Sequence, residues 1–132
     1  MQQEGGKAGR FLDCSERVIG ACIEVHRHLG PGLLESAYEE CLVLELGLVG
    51  LRCERQRRVP LHYKGHALAH GYRLDLVVEE QLIVEIKATE QLLPVHEAQV
   101  VTYLKLTGLP TGLLVNFGAE TLRKGLRRLS NK

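Results

Sequence analysis

The chain has 132 residues, 45% hydrophobic and 25% charged, a composition that fits one globular domain able to bury a core without disulfides or a structural metal. Its 17 Lys and Arg against 16 Asp and Glu leave a formal charge of +1, which excludes a uniformly basic nucleic-acid coat and an acidic solvating tail. No apolar run approaches the ~20 residues of a membrane span, and MQQEGGKAGRFLDC lacks a secretory apolar stretch, so a soluble cytoplasmic protein with no membrane partner is expected.

Residues 1–12 are Gly-rich and read as a flexible arm, with residues 13–132 forming a single domain. From Ser15, read as an N-cap, Val18, Ile19, Cys22, Ile23, Val25 and Leu29 recur at helical spacing and stop at Gly30-Pro31-Gly32. A second helix follows in LLESAYEECLVLELGLVG, where Leu34, Ala37, Tyr38, Cys41, Leu42 and Leu48 share a face and Gly47 and Gly50 supply stops. Cys14, Cys22, Cys41 and Cys53 have no CxxC spacing, and His96-Glu97 lacks the second His of HExxH. The cysteines therefore read as reduced core residues and the histidines receive no metal.

The period then changes. CERQRRVPLHYKG, HALAHGYRLDLVVE and LIVEIKA read as three strands in a meander, turning at Lys64-Gly65 and Glu79-Glu80-Gln81, with Pro60 holding the first at an edge or bulge. LLPVHEAQVVTYLKLTG returns to helical spacing between Pro94 and Gly108, TGLLVNFG is a buried strand, and a basic tail closes the chain. The order α-α-β-β-β-α-β predicts an α/β fold: a mixed sheet flanked by helices, with the last strand entering parallel through a crossover.

The chemistry concentrates in the hairpin. A three-residue loop sets Val78 opposite Leu82, Asp75 opposite Glu85 and Arg73 opposite Lys87. Those four charges then share one face, and Leu74, Leu76, Val84 and Ile86 share the other. Opposed carboxylates destabilise a strand pair by up to ~1 kcal/mol. A divalent cation compensates for that, and so do diagonal ion pairs from Arg73 to Glu85 and from Asp75 to Lys87. Glu35 falls between Leu42 and Leu46 inside the apolar arc of its helix, where a carboxylate needs a metal or an arginine. Gln99 and Tyr103, four apart, stack on one helix face. Two basic clusters, Arg52 with Arg55, Arg57 and Arg58, and Arg123 with Lys124, Arg127, Arg128 and Lys132, offer phosphate contacts or serve solubility.

These residues resemble a known family. Gly32-Leu33-Leu34-Glu35-Ser36-Ala37-Tyr38 matches the signature of the GxxExxY proteins. Arg73-Leu74-Asp75, Glu85-Ile86-Lys87, Gln99 with Tyr103, and Leu114-Val115-Asn116-Phe117-Gly118 come in that family's order and spacing. The family is similar to a compact branch of the PD-(D/E)XK nuclease-like superfamily. The resemblance implies a restriction-endonuclease-like fold, with Asp75, Glu85 and Lys87 as the D…ExK set and Glu35 as an additional acidic residue. Gln99 and Tyr103 become a QxxxY element, with Tyr38 and Arg73 in support. It further implies Mg²⁺ or Mn²⁺ held by Asp75, Glu85 and Glu35, and hydrolysis of phosphodiester bonds in DNA ahead of RNA. The alternative is a non-catalytic nuclease-fold protein, working as a homo-oligomer or complex subunit through the apolar excess of LVLELGLVGL.

Overall fold

Two helices come first in the computed structural model, which describes residues 14–131; the arm expected over residues 1–12 lies outside them. Helix α1 (Ser15–Leu29) buries Val18, Ala21, Cys22 and Val25, steps of three and four that make one stripe. Ser15 is its first residue rather than its cap: Cys14 holds the N-cap position, and the Ser15 hydroxyl takes a hydrogen bond from Arg128. Helix α2 (Glu35–Leu48) buries Tyr38, Leu42 and Leu46. Leu34 and Leu48, expected on that face, are 77% and 72% exposed. Leu34 stands on the extended N-cap, and Leu48 is roughly a quarter-turn off the stripe at ~100° per residue. Among the described residues no helix is long and apolar enough to cross a membrane.

Strand β1 (Cys53–Val59) ends where Pro60 removes the next ladder donor. The first expected strand is therefore shorter than its sequence suggested. Lys64-Gly65, φ 49° and 80°, is instead the tip of a separate hairpin, β2 (His62–Tyr63) with β3 (His66–Ala67). The second expected strand, HALAHGYRLDLVVE, is split: His66–Ala67 goes to that hairpin and β4 (Tyr72–Val78) enters the sheet, while β5 (Leu82–Lys87), α3 (Pro94–Thr107) and β6 (Thr111–Asn116) come as expected and the basic tail adds β7 (Leu126–Ser130). The sheet runs β1-β4-β5-β6-β7 in space, with β5 and β6 parallel across α3 and the other pairs antiparallel. The expected mixed sheet with a parallel crossover is thus observed.

Helices cover both faces. Leu76, Val78, Leu82, Val84, Ile86, Leu113 and Val115 pack with Tyr38, Leu42 and Phe117 on the α1–α2 side. Val59, Leu74, Val77 and Ile83 pack with Tyr103 and Leu104 of α3 on the other. At Gly112 a Cβ would sit 2.6 Å from Val100 Cγ1, so α3 lies against β6 at a distance only glycine permits.

Leu74 departs from the expected alternation. It joins Val77 rather than Leu76, and the reason lies in the neighbouring strand. Gln56 has φ 54°, and the β1–β4 register passes over Gln56 and Asp75 while pairing Arg55 with Leu76 and Arg57 with Leu74. A left-handed residue in a strand re-aims the side chains beyond it. Arg55 and Gln56 consequently both reach Glu39, and Arg57 turns back to Glu54 and Glu80.

Candidate active site

The hairpin register is the one its loop length dictates: Val78 opposes Leu82, Val77 opposes Ile83 and Leu76 opposes Val84. Pairing stops there. At the next position the Asp75 carboxylate enters the ladder itself, Oδ2 accepting the Ile86 N–H at 2.8 Å. Asp75 and Glu85 are thereby held at an opening between two strands that are tightly closed at their other end.

Both carboxyls are pushed up. For Glu85 burial is the main cause, Asp75's charge adds to it, and Lys87 and the Asp75 amide oppose it; the result is about 8. Asp75 is raised first by burial, against the hydrogen bond from Ile86, with Glu39 and Glu35 adding repulsion. Lys87 Nζ stands 3.8 Å from Glu85 Oε2, an ion pair too long to be a hydrogen bond. Glu85 Oε1 is buried without a hydrogen-bond partner among the described residues. Such an orphan costs ~1–3 kcal/mol unless a water or an ion meets it.

The diagonal pairs considered from sequence do not form. Lys87 pairs along its own strand with Glu85, and Arg73 is exposed and outside the cluster. Glu35 is exposed rather than buried, because α2 begins at that residue, where the helix surface is still open. Its charge nevertheless acts on both Asp75 and Glu85. Tyr38, three residues on, is fully buried and stacked on Phe117 at 4.6 Å. Its hydroxyl donates to the Gly30 carbonyl and accepts the Leu33 N–H, and between these Gly32 takes φ 111°. Tyr38 is therefore a lock on the loop that presents Glu35, away from the carboxylates themselves.

Tyr103 is 3% exposed, and its phenol is raised by burial first and then by the Glu85 and Asp75 charges. It meets Tyr72 edge-on at 5.5 Å. Gln99, one turn earlier on α3, is half-buried.

Sequence reasoning missed Glu39 and Gln56. Glu39 is buried on α2, accepting from Arg55 Nε at 3.0 Å and from Gln56 Nε2 at 2.8 Å. The same Gln56 amide stands 3.5 Å from Asp75 Oδ1. The available signal was the four-residue step from Glu35, which places both carboxylates on one side of the helix.

Of the basic residues, Arg55 and Arg57 are committed to carboxylates, as are Lys124 with Glu120 and Arg127 with Glu97. Arg58 and Arg123 are exposed, and Arg128 bonds to Ser15. β1 and β7 are opposite edges of the sheet, so the two clusters do not form one surface.

The sequence pattern of the PD-(D/E)XK nuclease superfamily matches residues 12–129. The chain belongs to that superfamily. No curated protein and no solved structure matches it. Its five-stranded mixed sheet flanked by helices is the restriction-endonuclease-like arrangement expected of a PD-(D/E)XK chain.

Among the described residues no three His, Cys, Asp or Glu side chains already converge as a metal cage. The donor set still suits a hard divalent ion, which takes one or two carboxylates and completes its sphere with water and phosphate oxygen. Two adjacent carboxyls, one with a buried unpartnered oxygen, provide that.

Proposed function

We propose that this PD-(D/E)XK chain is a nuclease of the GxxExxY branch, hydrolysing phosphodiester bonds of DNA with Mg²⁺ or Mn²⁺. The observation that carries the reading is the Asp75–Glu85 opening: two raised carboxyls side by side, with Glu85 Oε1 unpartnered and Lys87 alongside. Asp75 and Glu85 would hold the ion, with the Glu35 charge acting beside them. Once bound, such an ion polarises a phosphodiester and acidifies water. Lys87 stabilises charge developing on the phosphate and orients the attacking water. Gln56 keeps Asp75 in place against Glu39, and Tyr103 closes the site on the α3 side. In this reading residues 13–132 are the single catalytic domain.

The test is titration of Mg²⁺ and of Mn²⁺ into the wild type and Asp75→Asn, followed by incubation with mixed DNA and RNA. Asparagine preserves the acceptor for Ile86 N–H while removing the charge. Ion binding should disappear and cleavage should fall by at least ~10³-fold, about 4 kcal/mol in barrier. Equal cleavage by both chains discards the reading.

A homo-oligomeric, non-catalytic protein is the second reading, favoured by Leu34, Leu44 and Leu48 at 77%, 66% and 72% exposure. Light scattering on the Asp75→Asn chain measures it independently of cleavage.

A further inference from the structure

From Arg55 to Arg73 the sequence contains no aspartate or glutamate, in a chain whose total charge is almost nil. Two of the five cations in this stretch are neutralised from outside it, Arg55 by Glu39 and Arg57 by Glu54 and Glu80. Arg58, Lys64 and Arg73 have no carboxylate partner among the described residues and are exposed. Arg58 and Arg73 are moreover direct cross-strand partners on β1 and β4. Opposed like charges weaken a strand pair, and an anion laid across them removes that penalty.

Lys64 marks the tip of the β2–β3 hairpin, a two-stranded ribbon that pairs with no strand of the main sheet and is exposed from His62 to His70. Tyr63 beside it is 62% exposed, with the Lys64 ammonium 5.4 Å from its ring centre. The hairpin connects Val59 to Tyr72, which are themselves paired, so it projects from the end of the sheet where the β4–β5 ladder opens at Asp75. Basic base, basic tip and candidate site therefore share one end of the molecule.

We infer that the β2–β3 hairpin is a DNA-binding ribbon that enters the major groove of duplex DNA beside the site, with Lys64 at its tip meeting a phosphate on the groove wall and Arg58 and Arg73 on the flanking phosphates. The inference rests on the nuclease reading and adds a substrate class to it. B-form DNA has a major groove about 12 Å wide, which admits a two-stranded β-ribbon. The A-form RNA major groove is too deep and narrow for side chains to read, so the ribbon selects duplex DNA. No base-reading residue is implied, because the hairpin's charges address the backbone.

The test is fluorescence anisotropy of a labelled duplex in EDTA, across a salt series, with the full chain and its Lys64→Ala, Arg58→Ala/Arg73→Ala and triple variants. Each lost phosphate contact lowers the slope of log Kd against log salt by about 0.9, so the triple variant should lose close to three units and at least tenfold in affinity at low salt. Lys64→Arg should keep the wild-type slope. An RNA duplex of the same sequence should bind more weakly and be indifferent to Lys64→Ala. An unchanged slope in the triple variant overturns the surface, and an equal loss on RNA overturns groove entry. Binding is read without metal, so a failed Asp75→Asn cleavage test sinks the nuclease reading without moving these slopes, and unchanged slopes leave the cleavage result standing.

Discussion

The two ends of the β4–β5 hairpin do opposite things with the same two strands. At the turn end Val78, Val77 and Leu76 face Leu82, Ile83 and Val84, all essentially inaccessible to water. At the open end a side-chain carboxylate takes a ladder hydrogen bond and a buried glutamate is left with an unpartnered oxygen. The closed end supplies rigidity that the open end uses up, which is why two raised carboxyls can be held together without the fold relaxing around them.

That division can be broken from the closed side first. Leu82→Ala removes a fully buried side chain from the α1–α2 layer and should cost ~2–5 kcal/mol in urea denaturation. Once the variant is folded at low temperature, its metal affinity should match the wild type.

Glu85→Gln tests the open end with the opposite sign. Glu85 is raised from 4.5 to about 8 in the folded chain, so between those values the native state retains a proton that the unfolded state has lost. Glu85's contribution to stability is therefore fully present at or below about pH 4.5 and is lost as pH rises toward about 8, by at most about 1.4 kcal/mol per unit. The glutamine variant should melt at the wild-type temperature at pH 4.5 and above it at pH 8. In the wild type, Mg²⁺ has to displace that proton, so its affinity should rise up to tenfold per pH unit below about 8.

The smallest effect expected is that of Tyr38→Phe. It keeps the stack on Phe117 and removes the two hydrogen bonds to Gly30 and Leu33, for a loss of ~1–3 kcal/mol. If Tyr38 acts only as the lock on the Glu35 loop, cleavage should fall severalfold rather than by orders of magnitude.

Legibility in the sequence divides along the same line. The hairpin register was legible because a three-residue loop admits only one pairing once the apolar faces are assigned. The α3 crossover was legible because Pro94 and Gly108 bracket it. The burial that the helical spacing predicts for Glu35 is not found: its side chain is exposed, acting on Asp75 and Glu85 only through its charge, and the buried carboxylate is Glu39, one turn later. Nothing in the residue types announced that Gln56 adopts a left-handed conformation, yet that residue turns Leu74 to the other face and links Glu39 to Asp75. Lys64-Gly65 was recognised as a turn, but a turn signal does not say whether the flanking strands extend into the main sheet or, as here, stop after two residues.

The kink at Gln56 also bears on how the protein behaves at high concentration. β1 is an outer strand, and a long flat outer strand invites another chain to add alongside it. Here the strand is bent at its midpoint and surrounded by Glu54, Arg55, Arg57 and Arg58, and the opposite border, β7, carries the adjacent cations Arg127 and Arg128. Both margins of the sheet therefore resist fibrillar stacking, so a sequence with this much valine and leucine in its strands can remain dispersed in a crowded solution.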